Sequence, residues 1–175
     1  EKVEGAKLKE EEYHQINIQN ANQITGNLDT DTYGYLNEWF PAKLKHHLGQ
    51  ISQGAHQFRF TGRFGLFVDI QRIYQQLKAK ISRVISRKNV NQEDQIVPLT
   101  NKQGQILTPE FYVVGSLCGG SGAGMFMDIA YLLKMAYYQL SGGRGKPSMV
   151  GIQLTPEAFT QIAIDPNVNA TGRLE

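Results

Sequence analysis

Hydrophobic residues in the second half of the chain fall into two kinds of pattern. An almost continuous apolar run over residues 111–117 predicts a buried parallel strand. From Phe126 to Leu140, apolar residues recur every three or four positions, which predicts a helix that ends at the glycines of residues 141–143. A second apolar run over residues 148–154 predicts another strand. Strand, helix and strand in this order form a right-handed βαβ unit, with its ligand expected at the carboxyl ends of the strands.

The first half of the chain is predicted to be mainly helical. Residues 7–23 are polar and rich in Asn and Gln, so they predict at most a weakly specified helix. Apolar positions over residues 32–48 predict a short helical element that Pro41 interrupts. The clearest amphipathic pattern covers residues 62–87 and predicts one long helix packed against the sheet. Two short stretches predict edge strands: residues 96–97 and 105–107.

Composition and charge indicate one globular domain without nucleic-acid chemistry. The chain has 175 residues, of which 41% are hydrophobic and 19% are charged, enough for a single buried core. Its net charge of +2 is close to neutral. The densest basic stretch, residues 78–88, has the helical spacing of a solvated face, so we expect no nucleic-acid partner.

The single cysteine and the absence of a long apolar run suggest a cellular location. Cys118 has no partner for an internal disulfide, which suits a reducing compartment. The sequence contains no apolar run of about 18 residues, and its first residues do not resemble a signal peptide. We therefore expect a cytoplasmic protein without a membrane span.

Candidate chemistry lies in the glycine-rich turn between the predicted strand and helix. Four glycines occur within six positions, at residues 119, 120, 122 and 124. A turn of this kind lets backbone N–H groups converge at a helix N-terminus, where the helix dipole favours an anion. The turn therefore predicts a phosphate cradle, in which Ser121 adds a hydroxyl donor.

The side chains around the turn discriminate between the known kinds of glycine loop. A P-loop needs Lys and then Ser or Thr after its last glycine, but Met125 and Phe126 follow Gly124. The dinucleotide fingerprint is weakened but not excluded, because Met125 stands where its last glycine should be. A hydrolase nucleophile elbow would place Ser121 before its histidine, whereas all four histidines precede it: His14, His46, His47 and His56.

Residues 118–124 resemble the G-G-G-T-G-[ST]-G signature of the tubulin/FtsZ superfamily. The departures are Cys118 for Gly, Ser121 for Thr, which keeps the hydroxyl, and Ala123 for Ser or Thr. Upstream, residues 54–63 resemble the superfamily loop that approaches the terminal phosphate, especially in bacterial tubulin-like proteins. Downstream, residues 145–167 resemble the strand and loop in which an acidic residue before Pro contacts the ribose.

The resemblance implies a fold class and a domain organisation. It implies an α/β, Rossmann-like, three-layer nucleotide-binding domain of tubulin type, built on a parallel sheet and incomplete at both ends. Residues 1–53 would be a helical N-terminal region of this domain, and residues 54–175 a partial nucleotide-binding core. The family's first strand with its own glycine turn, its long central helix and its second domain are not found in the sequence. We therefore expect a fragment of a larger protein.

The predicted site combines the glycine turn with the two flanking loops. Its ligands would be GTP or GDP with Mg²⁺, as the resemblance implies. Arg63 is a further candidate near the terminal phosphate. Asp128 is expected to start the helix, with an indirect contact to Mg²⁺ through water as the alternative. No catalytic residue and no protein metal ligand is predicted. Residues predicted at the phosphates are Gly119, Gly120, Ser121, Gly122, Ala123, Gly124, Gly54, Ala55 and Arg59, and those at the ribose are Asp165 and Asn167.

Three functions remain open at the level of sequence. The first is the guanine-nucleotide-binding domain of a tubulin-like cytoskeletal GTPase that assembles into filaments. In that family a neighbouring subunit's acidic loop completes hydrolysis, so this chain by itself is expected to show no appreciable GTPase activity. The second is a structural or interaction module with weak or no nucleotide binding, suggested by Cys118 and Ala123. The third is an α/β enzyme that uses Ser121 as its nucleophile.

Overall fold

The computed structural model describes residues 12–45, 48, 51, 55, 58–87, 97–98 and 108–159. The N-terminal region contains two short helices, α1 (Ala21–Gly26) and α2 (Gly34–Asn37), followed by a 3₁₀ turn (Ala42–Leu44). The weak helix predicted over residues 7–23 is wrong for its described part up to position 20, because the helix starts only at Ala21. The element predicted over residues 32–48 is confirmed in shorter form, since Pro41 is extended and separates α2 from the 3₁₀ turn.

The long helix predicted over residues 62–87 is two helices. Helix α3 (Arg59–Val68) ends at Asp69, whose backbone leaves the helical conformation, and α4 (Ile70–Ile85) follows directly. Strand β1 (Ser86–Arg87) then pairs antiparallel with β2 (Val97–Pro98). The apolar stripe continues through the break, which is why periodicity alone did not reveal it. The edge strand predicted at residues 105–107 lies outside the described residues.

The predicted βαβ unit is confirmed. Strand β3 (Glu110–Ser116) leads into helix α5 (Gly120–Leu140), and β4 (Ser148–Leu154) returns parallel to β3. The register pairs Glu110 with Ser148 at one end and Ser116 with Leu154 at the other. Helix α5 stops at a turn in which Gly142 and Gly143 have φ values of 63° and 77°, a conformation that glycine adopts without strain. A 3₁₀ turn (Pro156–Phe159) follows β4.

Helix α5 covers one face of the β3–β4 sheet. Phe111 packs against Tyr137 of α5, with ring centroids 6.3 Å apart. On the opposite face, Tyr112 and Val114 are 59% and 63% exposed. The fold is therefore α/β with a parallel sheet, as predicted, and the part of the chain that the structure describes provides helices on one face of that sheet. The second helical layer of the predicted three-layer domain is not among the described residues.

The buried side chains form three clusters that join the N-terminal region to the helices. Phe64 of α3 packs with the apolar residues of the N-terminal region, while α3, α4 and α5 meet in a second cluster. A third cluster joins α4 and α5 next to β3. Burying each large aliphatic or aromatic side chain contributes about 1.5–3 kcal/mol. The described helices include none that is long and apolar enough to cross a membrane. The predicted division near residue 53 stays a prediction.

Helices α3 and α5 lie side by side with their backbones in direct contact. A Cβ atom at Gly62 would lie 2.2 Å from the carbonyl oxygen of Gly120, and one at Gly124 would lie 2.1 Å from that of Arg59. The direction follows from contacts along both helices: a Cβ at Gly120 would lie 2.4 Å from the carbonyl oxygen of Phe58, Arg63 pairs with Asp128, and Leu66 packs in one cluster with Leu132. The residue numbers of both helices therefore rise together. The two helices are therefore parallel, and their N-termini lie at the same end.

A polar cluster attaches the N-terminal segment to the junction of α3 and α4. Asp69 accepts hydrogen bonds from Arg72, at 2.9 Å between Nε and Oδ1, and from His14 at 3.0 Å between Nε2 and Oδ2. The other ring nitrogen of His14 lies 2.6 Å from the side-chain oxygen of Gln76. Burial raises the pKa of Asp69, but the hydrogen bonds and charges of Arg72 and His14 outweigh it, so the pKa lies below its usual value.

We expect Gly62→Ala to destabilise the fold because its methyl group would meet the Gly120 backbone. The expected loss is about 1–3 kcal/mol, since neither backbone moves without disturbing its helix. Gly34→Ala is the matched control, because a Cβ there has no neighbour within 4 Å. Denaturant unfolding measures both free energies. Equal stabilities of the two variants would contradict the close helix contact.

We expect Asp69→Asn to lower stability by about 1 kcal/mol at neutral pH through the lost charge-assisted hydrogen bonds. Because the folded pKa of Asp69 is lowered, its contribution is complete above the usual value of 3.8 and disappears as the pH falls through the folded value. Unfolding free energies measured from pH 7 to pH 2 should therefore converge for wild type and variant. Asp31→Asn, at an exposed position, is the control. If the unfolding free energies of wild type and Asp69→Asn differed by the same amount at every pH, this role of Asp69 would be contradicted.

Candidate functional site

The glycine turn is anchored at the carboxyl ends of both parallel strands. The N–H of Leu117 donates to the carbonyl of Leu154 at the end of β4, at 3.0 Å. The N–H of Cys118 donates to the side-chain oxygen of Ser116, also at 3.0 Å. Such a bond to a residue two positions earlier is typical of a serine turn. The turn thus places the start of α5 at the edge of the sheet where α/β proteins bind ligands.

Helix α5 begins at Gly120 with N–H groups that have no intrahelical partner. The first helical bond runs from the N–H of Ala123 to the carbonyl of Gly119, at 3.0 Å. The N–H groups of Gly120, Ser121 and Gly122 therefore have no carbonyl available within the helix. Within the part of the chain that the structure describes, no side chain caps this end. These amides carry the positive end of the helix dipole.

Helix α3 starts in the same way and at the same end. The N–H groups of Thr61 and Gly62 both reach the carbonyl of Phe58, at 3.1 and 3.3 Å. Phe58 is the N-cap residue, and no described side chain caps the helix. The first N–H groups, at Arg59 and Phe60, have no carbonyl within the helix. Because α3 and α5 are parallel, two positive helix ends lie next to each other.

Ala55 connects the two helix starts. Its N–H donates to the hydroxyl oxygen of Ser121 at 3.4 Å, and its carbonyl accepts from the N–H of Phe58 at 3.1 Å. A Cβ at Gly120 would lie 2.7 Å from the Ala55 carbonyl oxygen. The structure thus places Ala55 and Arg59 beside the glycine turn and the first residues of α5. Their contact with a phosphate stays a prediction. Gly54 lies outside the described residues.

The glycines of the turn differ in whether and why the structure requires glycine at their positions. A Cβ at Gly120 would lie 2.4 Å from the carbonyl oxygen of Phe58, and one at Gly122 would lie 2.6 Å from that of Ser116. Gly124 is needed for the contact with α3. Gly119 differs, because a Cβ there would have no neighbour within 4 Å among the described residues, and its φ of −109° and ψ of 142° suit any residue. Protein packing therefore explains three of the four glycines and leaves Gly119 without an explanation.

Arg63 is engaged in an ion pair rather than directed to the turn. Its Nε and Nη2 donate to the two carboxylate oxygens of Asp128, at 2.9 and 3.1 Å. Asp128 lies in the third turn of α5, so its predicted role as a helix-start residue is wrong: α5 begins within the glycines, earlier than the apolar spacing indicated. The hypothesis that Arg63 approaches the phosphate is also not supported. Arg59, the first residue of α3, is exposed.

A family comparison matches almost the whole chain. A family model described as tubulin-like matches residues 1–174. The chain belongs to the tubulin-like family. No curated protein and no solved structure matches the chain. The match confirms the resemblance inferred from the glycine turn and its flanking loops, and it includes the N-terminal helical region.

Gln153 is a residue of this tubulin-like domain that the sequence analysis missed. Both polar atoms of its side chain are buried and have no hydrogen-bond partner among the described residues. They lie 3.3 and 3.5 Å from the position of a Cβ at Gly115, and the same position is 3.5 Å from the Cα of Gly122. The carboxamide therefore lies beside the first turn of α5. The available signal was a polar residue between Ile152 and Leu154 in an otherwise apolar strand.

The structure of the tubulin-like domain describes the predicted phosphate contacts of the glycine turn but not the predicted ribose contacts. Gly119, Gly120, Ser121, Gly122, Ala123 and Gly124 form the turn and the first part of α5. The predicted ribose contacts, Asp165 and Asn167, lie outside the described residues. Within those that are described, no group of three or more His, Cys, Asp and Glu side chains is arranged to hold a metal ion.

We expect Ser121→Ala to release the N–H of Ala55. Loss of a hydrogen bond worth about 1 kcal/mol should increase the hydrogen-exchange rate of this amide roughly fivefold. Ser116→Ala is the matched control, because it removes the acceptor of Cys118 instead and should accelerate only that amide. Exchange followed by NMR measures both sites. An unchanged rate at Ala55 in the Ser121 variant would show that this bond does not hold the segment.

Proposed function

We propose that the chain is a nucleotide-binding domain of a tubulin-like protein, with the nucleotide's phosphates at the shared N-terminal end of α3 and α5. The observation that carries this proposal is the parallel placement of two helix starts, neither of which has a side-chain cap. Gly119 supports it, because the described residues leave the space beside its Cα open and none of their contacts requires glycine there.

The electrostatics of this end suit a polyanion. Each helix start carries about half a positive charge, and an anion placed there gains about 0.3–1 kcal/mol when exposed and up to about 2 kcal/mol when partly buried. Hydrogen bonds from N–H groups to a charged acceptor contribute about 1.5–3 kcal/mol each. A phosphate also offsets the unfavourable proximity of two like helix ends. The site thus favours a ligand with several negative oxygens.

Individual residues take distinct roles in this proposal. The N–H groups of Gly120, Ser121 and Gly122 bind phosphate oxygens. Because the Ser121 oxygen accepts from Ala55, its hydroxyl hydrogen is free to donate to a phosphate. Arg59 approaches the terminal phosphate from the start of α3. The N–H of Ala123 donates to the carbonyl of Gly119, so Ala123 would line the site without donating a backbone hydrogen bond to the phosphate.

Family membership supports guanine nucleotide, and the remaining features are part of the same proposal. The resemblance to tubulin-like sequences suggests GTP or GDP, with Asp165 and Asn167 at the ribose. Mg²⁺ would be held mainly by phosphate oxygens and water, as is usual for this ion. Self-association into filaments and hydrolysis completed between subunits would belong to the assembled protein.

A structural module with weak or no nucleotide binding is the second candidate. The favouring observation is that backbone packing alone accounts for Gly120, Gly122 and Gly124. A glycine-rich turn is therefore necessary for this helix arrangement whether or not a ligand binds. Only the open space at Gly119 separates the two candidates structurally.

We expect Gly119→Ala to retain stability within about 0.5 kcal/mol but to lose nucleotide affinity. The added methyl group meets no protein atom and would occupy the space assigned to phosphate. Losing even one N–H bond to a phosphate lowers affinity about tenfold or more. Titration of the full chain with a fluorescent GTP analogue in Mg²⁺ buffer measures the dissociation constant, and denaturant unfolding measures stability.

Gly34→Ala is the control for this experiment, because position 34 is equally open and lies in α2. Equal affinities of wild type, Gly119→Ala and Gly34→Ala would remove the glycine turn as the binding site. Absence of saturation in the wild-type protein would favour the structural module.

A further inference from the structure

The parallel arrangement of α3 and α5 requires an attractive interaction between the two helices. Two helices side by side in the same direction place like partial charges next to each other at both ends. The glycine contacts permit the close approach but add no attraction between charges. An attractive interaction across the two helices would therefore set how their N-termini align.

The Arg63–Asp128 ion pair provides such an interaction. It crosses from α3 to α5 with two hydrogen bonds, at 2.9 and 3.1 Å, in the geometry that fixes both distance and angle. The adjoining backbones are already in contact, since a Cβ at Gly124 would lie 3.1 Å from the backbone nitrogen of Arg63. The pair thus acts at the point where a small shift of α3 would move its N-terminus relative to the glycine turn.

Aromatic side chains fix the guanidinium in this position. Its central carbon lies 4.5 Å from the ring centre of Trp39 and 5.1 Å from that of Phe67, distances at which a cation is attracted to a ring face. The Arg63 side chain is 40% exposed and that of Asp128 is 20% exposed. An isolated pair with this exposure would be weak, but the ring contacts restrict the arginine to one geometry.

We propose that Arg63 and Asp128 are positioning residues for the phosphate site. They align the starts of α3 and α5 without touching the anion, and this role rests on the function proposed above. The carboxylate occupies both donor groups that Arg63 directs toward α5. The pair therefore acts on the ligand only through the relative position of two sets of backbone N–H groups.

A double-mutant cycle distinguishes positioning from direct binding. The full chain is titrated with GTP and, separately, with inorganic tripolyphosphate, for wild type, Arg63→Gln, Asp128→Asn and the double variant. We expect each single variant and the double variant to lose affinity by the same factor, roughly fivefold, because either change breaks the pair. If Arg63 bound the anion directly, Asp128→Asn would free it and raise affinity, which would overturn the proposal.

Arg72→Gln is the matched control, because Arg72 forms a comparable pair with Asp69 at the opposite end of α3. It should leave affinity unchanged. Stability measured in parallel identifies a purely structural role: reduced unfolding free energy with unchanged affinity in the Arg63 and Asp128 variants would overturn the proposal.

Amide chemical shifts of the ligand-free protein give a readout that does not depend on binding. We expect the amide chemical shifts of Gly119, Gly120, Ser121 and Gly122 to change in the Arg63 and Asp128 variants. They should be unchanged in Arg72→Gln. Unmoved signals would overturn the positioning role. If the wild-type protein binds neither GTP nor tripolyphosphate, the proposed function fails, and the shifts still decide whether the pair aligns the two helices.

Discussion

Direct backbone contact between α3 and α5 is the constraint on which the rest of this structure depends. Gly62, Gly120 and Gly124 leave no room for a Cβ at the crossing, so the two helices approach more closely than side chains would allow. Because they are parallel, the contact brings two helix starts to one edge of the sheet. Ala55 is then hydrogen-bonded to both starts, through Ser121 of α5 and through Phe58, the N-cap residue of α3.

The same constraint relates folding to ligand chemistry. Glycines in such a turn are usually interpreted as space for a phosphate, yet here most of them serve the packing of helix on helix and helix on strand. The helix contact in turn brings together the N–H groups of both helix starts that have no partner within their helix. The same close contact of α3 and α5 therefore packs the fold and brings the two helix starts together. Gly119 is the exception in the turn, because no packing contact of the described residues requires glycine there.

Local patterns predicted the elements around the turn well, and long-range contacts limited the rest. The strand ending at Leu154 and the helix ending at Leu140 were predicted because each has a regular apolar period and a clear stop signal. The break at Asp69 was missed, since the apolar stripe continues through it. The start of α5 was placed too late because glycines carry no hydrophobic signal. The Arg63–Asp128 pair joins residues far apart in sequence, which no local pattern reveals.

The ring contact of Arg63 has a practical consequence for optical work. Trp39 is the only tryptophan in the chain, and its indole lies against the guanidinium that crosses between α3 and α5. Indole emission depends on nearby charge and on solvent access. The tryptophan fluorescence of the chain therefore originates beside the helix crossing, where a shift of one helix against the other would change the surroundings of the indole without any added label.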